Sequence, residues 1–279
     1  MLDWNLDDLI ERSLREDMPY SDITTDALVC EAIQAEAILT AKEDGVVAGL
    51  PVAIRVFRRV DEGLTFQQPV SDGDRVQKGT VLLRVQGSAS ALLKAERTAL
   101  NLLQRLSGIA TSAARYVAAV EGLPVRIVDT RKTTPTLRAL EKYAVRTGGA
   151  CNHRYSLSDA VMIKDNHIVA AGSIARAVSL VRARIPHTMT VEVEVTSLEQ
   201  LDEALEAGAD IIMLDNMSPA LMAQAVRQTA GRALLEASGG VNLDTVREIA
   251  QTGVDVISVG ALTHSVKSMD ISMALRIQS

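Results

Sequence analysis

The sequence has few of the features that mark secreted or membrane-spanning proteins. Its two cysteines, Cys30 and Cys151, are too few for a disulfide framework, so we predict a reducing compartment and two small buried thiols. No apolar run of about 18 residues is present to span a bilayer. Residues 1–8 are acidic, and no signal-like apolar block follows them, which predicts a cytoplasmic protein.

A broad basic surface is also missing. The 279 residues carry a formal net charge of -6, whereas a surface for nucleic acid or for an anionic membrane needs an excess of lysine and arginine. A phosphate-clamping Walker motif is absent as well. We therefore expect a small molecule as the partner, and neither a nucleic acid nor a membrane.

The apolar pattern divides the chain near residue 110. Residues 5–17 predict a helix with Asn5 as its cap, and residues 35–85 predict short antiparallel strands separated by glycine-containing turns. Residues 88–106 predict a second helix, which Gly108 would end. We predict two domains over residues 1–112 and 113–279, with the tail 266–279 packing back on the first domain.

Predicted strands and helices alternate after residue 120, which is typical of parallel βα units and favours an α/β barrel. Six strands are predicted, at residues 125–129, 160–164, 190–195, 210–214, 233–237 and 255–259. Helices are predicted between them at residues 173–184, 197–206, 219–229 and 243–252. In such barrels the carboxyl ends of the strands form the active-site face.

Polar or glycine residues follow four of these strands: Glu194, Asp215, the run Ser238-Gly239-Gly240, and Gly260-Ala261. Glycine lets the backbone approach a phosphate closely and leaves its N–H groups free to donate, so the two glycine turns are candidates for a phosphate site. The alternative is that these turns need glycine only to connect a strand to a helix.

The strand VEVEV at residues 191–195 alternates strictly, so Glu192 and Glu194 share one face and the valines share the other. If the valines pack on helices, both glutamates face the barrel axis, where at least one needs a partner. A solvated edge strand is the alternative, which the two-sided covering of parallel strands disfavours. Glu194 and Asp215 could together hold substrate hydroxyls or a hydrated Mg²⁺. The alternative for Asp215 is a cap for the helix that Pro219 opens.

Basic residues concentrate in residues 130–167, where seven lysines and arginines face three acids. Arg131, Lys132 and Lys164 lie at predicted strand ends, where they would gather an anion. Three others fall four residues apart and are interpreted as one solvated helix face: Arg138, Lys142 and Arg146.

A glycine-rich turn at residues 148–154 could present His153 and Arg154 to the same anion. Cys151, His153 and His167 could be drawn as a zinc site, but their spacing matches no closed four-ligand pattern. We interpret His167 and His264 as hydrogen-bonded loop histidines.

The run DTRKTTPTLRALEKYAVRTGGACNHRYSLSDAVMIKDNH, at residues 129–167, resembles the signature of the quinolinate phosphoribosyltransferases, decarboxylating enzymes of NAD synthesis. Other segments are similar to the same family: EDMPYSDITT, AERTALN, VEVEV, MLDNM, EASGG and SVGALTHS. The resemblance covers nearly the whole chain, and the long basic segment is its most specific part.

The resemblance implies an N-terminal α/β sandwich domain followed by an incomplete, about six-stranded α/β barrel. It implies transfer of phosphoribosyl from phosphoribosyl pyrophosphate to quinolinate with decarboxylation, in the presence of Mg²⁺. The products would be nicotinate mononucleotide, pyrophosphate and CO₂. The implied assembly is a homodimer with shared active sites, with a hexamer of dimers as a further level. Arg97, in the AERTALN segment, would reach quinolinate across the subunit interface.

Matching residue by residue extends the implied site. Four residues would line the quinolinate pocket: Arg131, His153, Arg154 and Lys164. Those expected around phosphoribosyl pyrophosphate and Mg²⁺ are Lys132, Glu194, Asp215, Ser238, Gly239, Gly240 and Gly260, and Thr130 and Ala261 complete the substrate-binding set. The expected catalytic residues are Lys132, Glu194 and Asp215. Glu194 and Asp215 are also the expected Mg²⁺ ligands, directly or through water.

Three other functions are weighed against this one. A phosphoribosyltransferase-like protein of molybdate operons diverges after DTRKT, whereas the NHR turn and the KDNH end favour the quinolinate enzymes. A Schiff-base aldolase would use Lys164 at a barrel strand end. A biotinyl or lipoyl carrier module resembles residues 70–85, but no carrier-lysine motif lies at the expected hairpin, and Lys42 is a poor substitute.

Overall fold

The computed structural model describes residues 5–30 and 32–278. Within them the helices are α1 (Leu6–Asp17), α2 (Ile23–Leu28), α3 (Leu50–Val60), α4 (Ala89–Ala119), α5 (Arg138–Thr147), α6 (Asp165–Ala171), α7 (Ile174–Arg182), α8 (Leu198–Glu206), α9 (Pro219–Thr229), α10 (Val246–Gln251) and α11 (Ala261–His264). The strands are β1 (Gln34–Ala41), β2 (Gly45–Val46), β3 (Thr65–Gln67), β4 (Arg75–Val76), β5 (Val81–Ser88), β6 (Arg126–Val128), β7 (Val161–Ile163), β8 (Val191–Val195), β9 (Ile211–Asp215), β10 (Leu234–Ser238), β11 (Val256–Ser258) and β12 (Ile271–Ile277). Across the described ranges, no helix is both long and apolar enough to cross a membrane.

The chain forms two compact units, each built from more than one segment. Unit 1 comprises Met1–Ala114, Thr134–Gly149 and Val266–Ser279, and unit 2 comprises Arg115–Thr133 and Ala150–Ser265. The first division lies close to the predicted boundary at residues 112 and 113. The segment that contains α5, however, belongs to unit 1, so a single cut does not describe this chain.

Unit 1 is built on an antiparallel sheet with the strand order β12-β1-β5-β3. The tail strand β12 pairs along β1, from Ala35 opposite Ile277 to Ala41 opposite Ile271. Alternate β1 residues Ala35, Ala37, Leu39 and Ala41 are fully buried, so one face of the sheet packs into the core of the unit. The C-terminal segment is therefore an integral strand of unit 1.

Two predictions about secondary structure in unit 1 were wrong. The region predicted as short strands contains the helix α3, whose buried residues recur at helical spacing. Gly108 does not end a helix, because α4 continues through it to residue 119. A Cβ at Gly108 would lie 2.3 Å from the Lys267 carbonyl oxygen, so glycine is required there for close packing of backbone rather than for termination.

Several side-chain environments also differ from prediction. Asn5 precedes α1 with φ 70°, and its side chain makes no capping hydrogen bond. Lys142 is 3% exposed, because the buried side of α5 includes it together with its neighbours Leu140, Glu141, Ala144 and Val145. The interpretation of Lys142 as part of a solvated helix face is therefore wrong. Cys30 and Cys151 are exposed free thiols and not buried hydrophobes.

Unit 2 confirms the predicted incomplete α/β barrel. Its six parallel strands follow the order β6-β11-β10-β9-β8-β7, so β6 and β7 end the sheet and do not pair with each other. Val191, Val193 and Val195 of β8 are fully buried, which agrees with valines packed beneath the helices. The serines Ser173, Ser197 and Ser218 cap α7, α8 and α9 by accepting a backbone hydrogen bond. Because Ser218 caps α9, the alternative of Asp215 as that cap is wrong.

Candidate active site

The carboxyl ends of the parallel strands in unit 2 surround a pocket of about 590 Å³. Successive strands bring Lys164, Glu194, Asp215 and Ser238 to the same edge of the sheet, because parallel strands all end there. The pocket is lined by Thr130, Arg131, Lys132, His153, Arg154, Met162, Lys164, Glu194, Met213, Asp215, Asn216, Glu236, Ser238, Gly239, Gly240 and Ser258.

The turn that carries His153 and Arg154 is attached to the outer edge of β6. Cys151 forms a parallel bridge with β6, and the Asp129 N–H donates to the Cys151 carbonyl at 3.2 Å. The Asp129 carboxylate, which is fully buried, accepts from the His153 N–H at 2.9 Å and from the Asn152 amide at 2.6 Å. The first residue of the basic signature therefore positions the turn rather than a ligand.

His153 lies between two buried glutamates. Its Nε2 is 3.3 Å from an oxygen of Glu192 and 3.3 Å from an oxygen of Glu236. Burial lowers the pKa of His153, and its hydrogen bonds to Glu192 and Glu236 raise this pKa more strongly. The Arg154 N–H, however, can donate only to an unprotonated Nδ1, so the contact geometry holds the ring with a single proton, on Nε2. The other ring nitrogen, Nδ1, accepts the Arg154 N–H at 2.7 Å. The carboxylates and the Arg154 N–H both favour a proton on Nε2, the atom that faces the glutamates.

The two glutamates are almost completely shielded from solvent. Each side chain is 4% exposed, and within the described part of the chain the Oε1 atom of each has no hydrogen-bond partner. Burial raises the pKa of Glu192; the hydrogen bond from His153 opposes this rise, and the charge of Glu236 adds to it. Two buried carboxyl groups therefore depend on one imidazole for their polar contacts.

Lys164 is paired with Glu194 across β7 and β8, with its Nζ 2.5 Å from a carboxylate oxygen. The Lys164 side chain is 45% exposed, so the ammonium group is accessible from the pocket. The Lys164 N–H donates to Nδ1 of His167 at 3.0 Å, which gives His167 a structural role at the start of α6. The prediction that a glutamate of VEVEV needs a partner is confirmed for both Glu192 and Glu194.

Arg131 and Arg154 add positive charge to the same wall of the pocket. The Arg154 guanidinium donates to the Ala160 carbonyl at 2.9 Å, which holds the side chain in place. Burial and the neighbouring charge of Arg131 lower the pKa of Arg154. Two guanidinium groups that repel each other are suited to an anion with more than one carboxylate.

The glycine turn after β10 also lines the pocket. Gly239 has φ 95°, and a Cβ there would lie 2.2 Å from the side-chain oxygen of Asn216 and 3.0 Å from its backbone nitrogen. The Asn216 N–H donates to the Ser238 carbonyl at 2.9 Å, which fastens this turn to the end of β9. Gly239 is therefore required by both its conformation and the close approach of Asn216.

The pocket brings together eleven of the residues predicted for the site: Thr130, Arg131, Lys132, His153, Arg154, Lys164, Glu194, Asp215, Ser238, Gly239 and Gly240. Three others are not among its lining residues. Arg97 is an exposed residue of α4 in unit 1. Gly260 and Ala261 lie at the start of α11, where a Cβ on Gly260 would be 3.2 Å from the Lys132 side chain.

Sequence reasoning missed the role of Glu236. A signal for it was present, because Glu236 precedes Ser238 by two residues and must share its face of β10. Four further residues line the pocket for which the sequence predicted no role: Met162, Met213, Asn216 and Ser258. Among the described residues, His153 lies with Glu192 and Glu236 and not with Cys151 and His167, the zinc grouping that the spacing disfavoured.

Comparison with known proteins identifies the family. Residues 22–107 match the N-terminal domain of quinolinate phosphoribosyl transferase, and residues 109–274 match its C-terminal domain. The chain belongs to the quinolinate phosphoribosyltransferase family. Its resemblance to this family in the basic signature is thereby confirmed, and with it the classification as a pentosyl-transferring enzyme.

Relatives and solved structures in this family match over almost their full lengths. A probable nicotinate-nucleotide pyrophosphorylase (carboxylating) of Synechocystis is 46% identical over 97% of this chain and 92% of the relative. The corresponding enzyme of Mycobacterium leprae is 47% identical over 96% of each. The crystal structure of NadC from Streptococcus pyogenes has a TM-score of 0.95 and 48% identity, covering 99% of this chain and 98% of that one.

Proposed function

We propose that this quinolinate phosphoribosyltransferase family member transfers phosphoribosyl from phosphoribosyl pyrophosphate to quinolinate and releases CO₂, giving nicotinate mononucleotide and pyrophosphate. The single observation that carries the proposal is the pocket in unit 2, which four cations and two carboxylates line near the strand ends: Arg131, Lys132, Arg154, Lys164, Glu194 and Asp215. The names of the relatives describe the same reaction, written as carboxylation in the opposite direction.

The charge of the pocket suits two anions that repel each other. Quinolinate has two carboxylates, and the donor carries a phosphate and a pyrophosphate. A cation about 4 Å from an anionic oxygen contributes up to roughly 4 kcal/mol at an effective dielectric of about 20, so several cations are needed to gather both substrates. The paired guanidinium groups of Arg131 and Arg154 suit the dicarboxylate, and the exposed Lys132 suits the departing pyrophosphate.

The transfer needs positioning and electrostatic stabilisation rather than a covalent nucleophile. The bond from the ribose carbon to pyrophosphate breaks with its electron pair leaving on oxygen, and the lone pair of the ring nitrogen forms the new C–N bond. Glu194 and Asp215 would hold the ribose hydroxyls and stabilise positive charge on the sugar. The resulting positive nitrogen then stabilises the carbanion left when the adjacent carboxylate departs as CO₂, and that carbon takes up a proton.

Glu194 and Asp215 also fit the expected Mg²⁺. Both present carboxylate oxygens at the ends of the neighbouring strands β8 and β9, which is the donor chemistry that Mg²⁺ prefers. When bound, Mg²⁺ would neutralise charge on the pyrophosphate group as it leaves. Lys164 is paired with Glu194, and the Asn216 amide donates to Asp215 at 2.8 Å, so each carboxylate would share its oxygens between a protein donor and the metal.

The Schiff-base aldolase alternative requires Lys164 as a neutral amine. The Nζ atom that would attack a carbonyl is instead engaged in an ion pair with Glu194 at 2.5 Å. We therefore assign Lys164 to anion binding. Borohydride reduction in the presence of candidate carbonyl substrates should leave no adduct on Lys164.

The test of the proposed function is a direct assay. Purified protein is incubated with quinolinate carrying ¹⁴C in the carboxylate next to nitrogen, phosphoribosyl pyrophosphate and Mg²⁺, and the release of ¹⁴CO₂ and nicotinate mononucleotide is measured. Both products should appear in equal amounts, and nicotinate in place of quinolinate should give neither CO₂ nor comparable turnover. Absence of both products from folded protein would refute the proposed reaction.

We further infer that the enzyme is a cytoplasmic homodimer in which Arg97 of one subunit completes the site of the other. Arg97 carries an exposed charge on α4, and the pocket of unit 2 is lined without it. Mixing inactive Arg97→Ala and Lys164→Ala proteins should restore up to about a quarter of the wild-type activity, because one hybrid site regains both groups. Verified subunit exchange without any gain in activity would rule out the shared site.

A further inference from the structure

We propose that Glu192 and Glu236 are positioning residues that hold the His153 ring in a single orientation for binding of the pyridine dicarboxylate. This inference rests on the proposed function, since it assigns these glutamates to the quinolinate side of the same pocket. One carboxylate oxygen of each glutamate lies 3.3 Å from His153 Nε2, so they would act through the imidazole.

We call Glu192, Glu236 and the Arg154 N–H, which together contact the His153 ring, the histidine clamp. Its two glutamates come from separate strands. Glu192 lies in β8 and Glu236 in β10, with β9 between them, yet one oxygen of each lies 3.3 Å from the same Nε2 atom. On the other side of the ring, the Arg154 N–H donates to Nδ1. Both ring nitrogens are therefore held, and rotation of the ring would break all three contacts.

The energetics favour a functional reason for this cluster. Burial of a carboxylate costs several kcal/mol unless it is well paired, and one oxygen of each glutamate has no partner within the described residues. Negative charge on either of these buried groups would also oppose binding of a dianion beside it. Replacing buried ionic groups by well-packed apolar residues is often neutral or stabilising, which favours a role for the glutamates at His153 over a contribution to stability.

A metal ion is the other group that these three side chains could hold, since their ligand atoms lie within 4.8 Å of one another. A metal at Nε2 requires the ring proton on Nδ1. The Arg154 N–H already points at Nδ1 from 2.7 Å, so that nitrogen acts as an acceptor. The hydrogen-bonded clamp fits this geometry and the metal does not.

The experiment compares Glu192→Gln and Glu236→Gln with wild type in steady-state kinetics. Glutamine keeps the volume but presents an amide that cannot accept at both terminal atoms. We expect KM for quinolinate to rise about tenfold or more, with KM for phosphoribosyl pyrophosphate changed less than about twofold. The exposed Glu248→Gln on α10 is the matched control and should behave as wild type.

A double-mutant cycle separates positioning from a general structural role. In a His153→Ala background, Glu236→Gln should cause no further rise in KM for quinolinate, because the group through which it acts is gone. Equal effects in both backgrounds would overturn the proposal. The same cycle with Glu192→Gln provides a second measurement if one glutamine variant is unstable, and thermal unfolding of every protein shows which ones are folded.

Nuclear magnetic resonance of the His153 ring nitrogens tests the same contacts without requiring turnover. The protein has four histidines, so the ¹⁵N resonances of His153 can be assigned by their loss in His153→Ala. Wild type should show a protonated, hydrogen-bonded Nε2, and its resonance should shift in both glutamine variants. An Nε2 signal that is unchanged in both variants would overturn the clamp. Failure of the ¹⁴CO₂ assay with these shifts intact would instead overturn only the proposed reaction.

Discussion

The glycine turn after β10 gives the sharpest mutational prediction. Replacing Gly239 by alanine should weaken use of phosphoribosyl pyrophosphate far more than a comparable replacement elsewhere. Gly239 has φ 95°, beyond the region that an L residue tolerates, and the new Cβ would lie 2.2 Å and 3.0 Å from two atoms of Asn216. The 3.0 Å contact is with a backbone nitrogen and cannot be relieved by rotating a side chain.

The expected loss in kcat/KM follows from two free-energy costs, backbone strain at positive φ and overpacking against Asn216. A non-glycine residue in an unfavourable positive-φ conformation costs about 1–3 kcal/mol, and overpacking adds about 1–3 kcal/mol. If the turn must return to its native shape to bind phosphate, a total of about 3 kcal/mol corresponds to a loss of roughly two orders of magnitude in kcat/KM. The matched control is Gly231→Ala, which has φ 76° and no atom within 4 Å of its Cβ. It lies outside the pocket.

The assay is initial-rate kinetics with phosphoribosyl pyrophosphate varied at saturating quinolinate. Gly239→Ala should lose about 100-fold in kcat/KM for phosphoribosyl pyrophosphate, whereas Gly231→Ala should lose only a little thermal stability and no measurable activity. Circular dichroism should show that both proteins are folded. Similar kinetics for the two variants would refute the argument that the Gly239 backbone shapes a phosphate site.

Three further predictions concern charge and packing. Lys132→Ala should lower kcat/KM by about 100-fold or more, because a cation near the pyrophosphate is lost. Thermal unfolding should not change, because Lys132 is exposed. Wild-type turnover in this variant would show that Lys132 does not act at the pyrophosphate site. Glu141→Ala should lower the thermal unfolding midpoint of unit 1 markedly, by an amount equivalent to about 3–5 kcal/mol, because Glu141 is fully buried and accepts from Arg105 at 2.9 Å; an unchanged midpoint would show that the pair contributes little. Gly108→Ala should also lower the midpoint, since the clash with the Lys267 carbonyl outweighs a gain of about 1 kcal/mol in helix propensity, and a higher midpoint would contradict the close packing.

The barrel could be predicted from sequence because its signals are local. Each parallel strand is a short apolar run, and the helices after β8 and β9 begin with a serine cap, so the six strands of unit 2 lie within one or two residues of their predicted positions. Strand β8 also revealed its buried and polar faces through alternation. The ends of such strands must converge, so the sequence alone predicts Lys164, Glu194 and Asp215 in one site, and all three line the pocket.

The failures have a common physical origin in contacts between residues distant in sequence. Gly108 resembles a helix terminator by type, and only the approach of the Lys267 carbonyl shows why glycine is needed. Lys142 resembles a solvated lysine by spacing, and its burial depends on the packing of α5 within unit 1. Glu236 is paired with His153, which lies more than eighty residues away in the chain. Periodicity carries no information about such partners.

The distribution of charge around the open barrel links the fold to the proposed chemistry. The cations come from the two strands that end the sheet: Arg131 and Lys132 follow β6, Arg154 lies on a turn bridged to β6, and Lys164 follows β7. Glu194 and Asp215 come from β8 and β9, further within the sheet. A closed eight-stranded barrel would place paired backbone where β6 and β7 here leave a gap. The gap thus lets positive side chains converge from both edges on an anion, while the acids remain where the ribose and its metal would bind.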